Sequence, residues 1–317
     1  MTADARPPEG MPDGPVGEPA SDGTPTAYTS GARRFGPTLL VGGAIVGVVV
    51  VMALVSYLWT PWDPTFVNPV DRLQGFSARH WLGTDKFGRD VFSQILMGAR
   101  TTLFVGIVAV GIAAVVGVPL GILAAMGPRW FGELIMRGND LLLAFPALLL
   151  AIMFSAVYGG STLVAMLAIG IATVPSFARL VRSGALQVMR TEYVLAARAA
   201  GRRPFAIGLW HVLPNVTGLV IVQSSVSFAI AVLAEAALSF LGLGTPAPTP
   251  SWGRMLQESQ ELLFVAPRLA VVPGVAIALA VLGFNLLGDG LRDFLDPRLD
   301  RSHGETPRSG GSAKERR

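Results

Sequence analysis

The residues able to do chemistry are few and unevenly placed along the 317-residue chain. There is no Cys, so neither a disulfide framework nor a thiolate metal site is available. Three His, at 80, 211 and 303, lack metal-ligand spacing. The only lysines, Lys86 and Lys314, stand outside any G-x-x-x-x-G-K-[ST] pattern, so the chain has no P-loop for ATP. No nucleophile–base constellation appears, and neither enzymatic activity nor a cofactor is expected. What remains is ionic and polar. Glu235 and Asn285 sit in apolar runs; Asp85, Lys86, Arg89 and Asp90 cluster around Gly83 and Gly88; and arginines crowd the stretch from Arg179 to Arg203.

Exposing an acidic side chain to lipid costs a few kcal/mol, so Glu235 should face a cavity or a partner. Two readings stand: it lines a translocation path near the outer face and meets an amine on a transported solute, or it is a structural carboxylate accepting hydrogen bonds where the helix breaks into Gly242-Leu243-Gly244. Asn285 has the same two readings and leans towards interhelical hydrogen bonding. The 80–90 cluster either contacts an external protein or forms a salt-bridged turn.

The elements that carry these residues follow from composition. Hydrophobic residues make up 51% and charged residues 15%, against roughly a quarter charged in soluble domains. The charges sit at the termini and in a few short segments, which makes lipid the main solvent. Six spans are predicted, over about 38–58, 101–126, 134–157, 162–181, 216–240 and 269–288, each near the roughly 20 residues that a 30 Å hydrocarbon core requires. None alternates every second residue as a barrel strand would. Gly106, Gly111, Gly117 and Gly121 in the second span are expected to permit close helix packing. The result is an all-α integral membrane protein.

Residues 1–34, rich in Pro, Gly and acid, are expected to be a disordered cytoplasmic tail, and 301–317 a flexible one. With the N-terminus inside, only seven of 25 basic residues face outward: Arg72, Arg79, Lys86, Arg89, Arg100, Arg254 and Arg268. The positive-inside rule therefore places both termini in the cytoplasm. The same rule assigns the high sequence pI of 9.9 to topology, and no nucleic-acid partner is expected.

The inner loop between spans four and five, 190–215, is the most informative segment. Thr191 can cap a short helix, with Glu192 at the positive end of its dipole. Gly201 suits the left-handed position just past the end, and Pro204 can open a second short helix ending near Leu213-Pro214-Asn215. The first helix is Ala-rich, with basic flanks at Arg179, Arg182, Arg190, Arg198, Arg202 and Arg203. It could lie on anionic lipid or dock a cytoplasmic partner.

Ala196-Ala197-Arg198-Ala199-Ala200-Gly201, nine further residues, then His211-Val212-Leu213-Pro214 resembles the E-A-A-x3-G-x9-I-x-L-P loop of ABC importer permeases. Leu195 stands where that pattern has Glu, and His211 where it has Ile. The run from His80 to Asp90 and on to Arg100, Glu235 to Gly244 with Pro250-Ser251-Trp252-Gly253, and Asp289 to Arg298 resemble the C-type permeases of the dipeptide/oligopeptide/nickel branch. The resemblance spans about 35–300.

It implies a six-helix, type I importer (MetI-like) permease fold, with the first helix and an external loop over 35–100 and a five-helix core over 101–300. It also implies a second homologous permease, two ABC ATPase subunits, an extracytoplasmic binding protein and a peptide substrate. Glu192, Tyr193, Ala196, Ala197, Arg198, Gly201, His211, Leu213 and Pro214 become the expected ATPase-coupling residues. A nickel or other small-solute importer is the alternative within the branch. A self-contained secondary transporter would need ionisable coupling groups at the bilayer midplane, which these spans lack apart from Glu235 near one end.

Overall fold

The computed structural model describes residues 36–295, so the expectations for the two tails fall outside the described residues. In chain order the helices are α1 (Pro37–Leu58), α2 (Val91–Met126), α3 (Arg129–Leu143), α4 (Ala147–Tyr158), α5 (Thr162–Val188), α6 (Glu192–Ala199), α7 (Pro204–Ile207), α8 (Leu213–Phe240), α9 (Trp252–Ser259) and α10 (Arg268–Leu295). Among the described residues no strand forms, and a single bridge pairs Thr84 with Asp90. Helices α1, α2, α5 and α10, and the continuous run from α7 through α8, are long and apolar enough to cross a membrane.

Three boundaries differ from expectation. Helix α2 begins ten residues early, because Asp90 caps it: its Oδ2 accepts from the Ser93 amide at 2.7 Å and hydroxyl at 2.8 Å. Arg100 then lies within the helix, its guanidinium stacked 3.7 Å from the Tyr57 ring centroid. The segment after α7 does not stop near Asn215. It passes through a π-turn over Gly208–Val212 directly into α8. Pro214 has no N–H, and the wide turn just before it absorbs the missing bond.

The third predicted span is not one straight helix either. α3 and α4 meet at 79°, broken where Pro146 disfavours helical backbone at Phe145. Their pairing as one bent crossing follows from direction. A Cβ on Gly117 would lie 2.6 Å from Phe177 Cβ, and one on Gly121 2.8 Å from Val181 Cβ, so α2 and α5 run parallel. The chain must therefore return across the bundle between them. Twelve residues of α4 rise about 18 Å; α3 packs through Met136 against Ala124 and Ala178, near the end of α2.

The other directions agree. Gly208, just before α8, lies against Met126, and Gly106 against Phe228 within it, which sets α8 antiparallel to α2. Gly42 approaches the Leu286–Leu287 backbone and Gly290 approaches Leu39, which sets α1 antiparallel to α10. In lipid, helix association rests on such close contact, because the tails are as apolar as the side chains. Gly106 likewise faces the Phe228 ring, whereas Gly111 meets nothing within 4 Å, so the packing role expected of it is absent. One core cluster joins α2, α4, α5 and α8; a second joins α1, the start of α2, α8, α9 and α10. The segment 189–212 closes one end of the bundle, and the 59–90 loop with α9 closes the other.

Candidate functional site

Helix α6 is held by its ends and one side chain. Thr191 does not cap it: its hydroxyl turns back and donates to Val188 O at 2.6 Å. The C-terminus ends as expected. Gly201 adopts φ +76°, its amide donates to Arg198 O at 2.9 Å, and the Arg202 amide donates to Ala197 O at 3.1 Å. These paired bonds satisfy the last carbonyls and need a residue free to enter the left-handed region. Nothing lies within 4 Å of the Cβ position of Gly201, so its requirement is conformational.

Val194 is the one buried side chain of α6, fully enclosed in the cluster that contains Met189, Ile207, Val212 and Val216. Ala197 is half-buried beside it. Helical spacing puts Glu192, Ala196 and Ala199 on the opposite face, all exposed, with Tyr193 and Leu195 at its shoulders, also exposed. The outward face of α6 is thus small and largely uncharged, while Arg190, Arg198, Arg202 and Arg203 stand exposed around its ends and side.

The π-turn brings the second half of the expected set against the first. His211 meets Tyr193 edge-on, ring centroids 6.0 Å apart. Its Nε2 is shielded from solvent and has no hydrogen-bond partner, while its carbonyl accepts from Asn215 Nδ2 at 2.7 Å. Leu213 packs against the core and Pro214 is exposed. Sequence reasoning missed Phe205, Leu209 and Trp210, which are 82, 45 and 68% exposed on the same surface. Large apolar residues inside a basic connecting segment were the available signal.

At the other end of the bundle, Glu235 is buried, with Oε1 accepting from Ser239 Oγ at 2.7 Å and from Thr245 Oγ1 at 3.4 Å. The Thr245 amide donates to Ser239 Oγ at 3.0 Å, and Ser155 Oγ donates to Leu243 O at 3.2 Å. The carboxylate therefore sits where α8, the turn after it and α4 are joined, enclosed by packing; Oε2 has no partner. Asn285 is not brought to it: the side chain is exposed on α10 and has no hydrogen-bond partner among the described residues.

The 80–90 cluster spends its charge internally. Arg89 pairs with Asp85 at 2.6 Å and with Glu258 of α9, and Glu258 also accepts from Arg254 at 2.9 Å. His80 Nδ1 lies 2.9 Å from Asp90 Oδ1. Arg268 reaches the carbonyls of Leu73, Gln74, Leu82 and Thr84, which anchors the start of α10 under the loop. Partners such as Glu258 and Arg268 lie more than 160 residues away in sequence, and no local pattern marks them.

Residues 117–301 match the family model described as binding-protein-dependent transport system inner membrane component. The chain is 46% identical over 260 residues to the dipeptide transport system permease protein DppC of Alkalihalophilus pseudofirmus, covering 82% of this chain and 86% of that one. It is 39% identical over 293 residues to the di/tripeptide transport system permease protein DppC of Pseudomonas aeruginosa, covering 89 and 96%. Against the glutathione transport system permease protein GsiD of Pectobacterium atrosepticum it is 41% identical over 261 residues, covering 82 and 87%. In fold it is similar to a chain of the MetNI methionine ABC transporter solved in inward-facing conformations, with TM-score 0.54, 17% identity, and coverage of 64% of this chain and 97% of that one. With five apolar helices long enough to cross a membrane, a further bent apolar pair and the segment 190–215 at one end, the chain belongs to the family of inner membrane components of binding-protein-dependent transport systems, the multi-pass permeases of ABC importers.

Proposed function

We propose that this permease carries di- or oligopeptides inward, paired with a second, related permease, and that an ATPase subunit drives it by pressing on 190–215. Three of its relatives are named for dipeptide, di/tripeptide and glutathione transport, and peptide is the substrate class these share. Both termini lie in the cytoplasm, on the side of α6, where the arginines concentrate. The observation that carries the coupling role is the mounting of α6. A helix with a single buried side chain, Val194, and a small-residue face turned outward suits insertion into another protein.

Displacement of α6 is passed on at Tyr193–His211 to the π-turn, and from there to α8 without a break. ATP shifts the transporter only through its differential affinity for the two states, so the docked ATPase must bind α6 differently in each. Glu235 acts in this scheme as a tie between α8 and its following turn, and Asn285 faces lipid or the partner permease.

The test is uptake of a labelled dipeptide by vesicles holding the full complex, with the exposed Ala196→Arg and Ala199→Arg changes combined. Uptake should fall to background, with loss of the ATPase subunit and unchanged permease level. Full uptake in the double variant would overturn the coupling role. Unchanged coupling of ATPase to permease, with uptake of another solute class and none of peptide, would overturn the substrate.

A further inference from the structure

We infer that the ATPase groove that receives α6 has an apolar floor and an acidic rim, so that assembly is steered by charge; this rests on the coupling role proposed above. The floor follows from what the segment exposes. Tyr193 and Leu195 flank the Ala196–Ala199 face at 46 and 50% exposure, and Phe205 and Trp210 in the following segment are 82 and 68% exposed. Exposed apolar side chains gathered on one short segment mark an interaction site.

The rim follows from the charges. Arg190, Arg198, Arg202 and Arg203 surround that face, with Glu192 as the only acidic residue between 190 and 215. None of the four has an ion-pair partner among the described residues. The closest polar contact of Arg198 is Met189 Sδ at 3.7 Å. Some exposed arginines elsewhere are matched, as Arg129 is to Glu133 at 3.1 Å and Arg179 to Asp140 at 2.9 Å, while Arg72, Arg137 and Arg292 stand singly, so it is the grouping of four around one short helix that sets this segment apart.

Anionic lipid is the competing source of negative charge. A helix lying on lipid headgroups would turn its arginines away from the protein body and its apolar residues into the bilayer. In α6 the outward face is Glu192, Ala196 and Ala199, and Arg198 lies back beside Met189, so the arrangement favours a protein groove entered by the small face with arginines meeting its edges. Complementary charge of this kind raises association rate and sets register more than it adds affinity.

The chain has no Cys, which permits single-site crosslinking in the purified complex. A photoreactive maleimide at Leu195→Cys should crosslink to apolar residues of the ATPase, and one at Arg202→Cys to a segment rich in Asp and Glu. In parallel, Arg198→Glu, Arg202→Glu and Arg203→Glu combined should cut ATPase retention about tenfold at 0.15 M salt, and wild-type assembly should slow as salt rises. Crosslinks from position 202 into a basic or neutral segment, or retention unchanged between 0.05 and 0.5 M salt, would overturn the acidic rim. An environment-sensitive dye at position 195 that shifts only in nanodiscs of anionic lipid, with ATPase retention unaffected by the triple change, would assign the arginines to lipid and also overturn it. If no crosslink to an ATPase forms from either position while the complex remains intact, the coupling role itself fails.

Discussion

Replacing Arg89 by Ala should loosen the end of the bundle closed by the 59–90 loop and α9 without touching the end formed by 190–215. Arg89 is 6% exposed and joins Asp85 to Glu258, so it fastens the 59–90 loop to α9. Removing one partner of a buried ion pair costs about 3–5 kcal/mol when the other charge is stranded. Here the stranding is incomplete. Asp85 still accepts from the Phe87 amide at 2.8 Å, the residue-89 amide at 3.0 Å and Gln94 Nε2 at 3.0 Å. Glu258 keeps Arg254. A net cost of about 2–3 kcal/mol follows, which is roughly a 30- to 150-fold rise in local opening. Amide hydrogen exchange in detergent reads this directly, and the rise should appear across 73–90 and 252–262 and be absent from 190–215. Lys86→Ala is the control, because its partner Glu261 is 78% exposed and such pairs contribute little. If Arg89→Ala changes exchange in those segments less than threefold, or no more than Lys86→Ala does, the loop is held by something other than this network.

Two further outcomes follow from the packing. Gly117→Ala should destabilise by about 1–3 kcal/mol, because its Cβ would press on Phe177 Cβ at 2.6 Å and Val174 O at 2.8 Å, whereas Gly111→Ala should be neutral or slightly stabilising. Thermal unfolding of the two variants in one detergent separates them, and equal melting points would contradict the close α2–α5 approach. Glu235→Gln should keep the acceptor for Ser239 and Thr245 and melt near wild type, whereas Glu235→Ala leaves both hydroxyl protons without their acceptor and should cost about 1–3 kcal/mol. Equal damage from both changes would mean that the charge matters, and the tie between α8 and its turn would be the wrong account.

Much of the fold was legible because lipid imposes a simple rule: apolar runs of about 20 residues must be helices, since no water is present to satisfy backbone groups. Runs such as 38–58 and 269–288 lie within α1 and α10 almost unchanged. The C-terminal stop of α6 at Gly201 was equally local, because a left-handed residue and the proline after it act over a few positions. Composition and the 190–215 pattern likewise marked the segment proposed to couple to an ATPase. Only the tertiary structure decided the rest. That α3 and α4 together make the return between α2 and α5 follows from the parallel course of those two helices, a relation between segments some 60 residues apart. The choice of Val194 as the anchor of α6 depends on where α8 and the π-turn place their side chains. Glu235 looked the same in sequence whether it faced a path or a packed junction; Ser239, Thr245 and the turn returning over them enclose it. The ion network around Arg89 was illegible for the same reason, since charge pairing depends on distance in space, and its partners on α9 come from far along the chain.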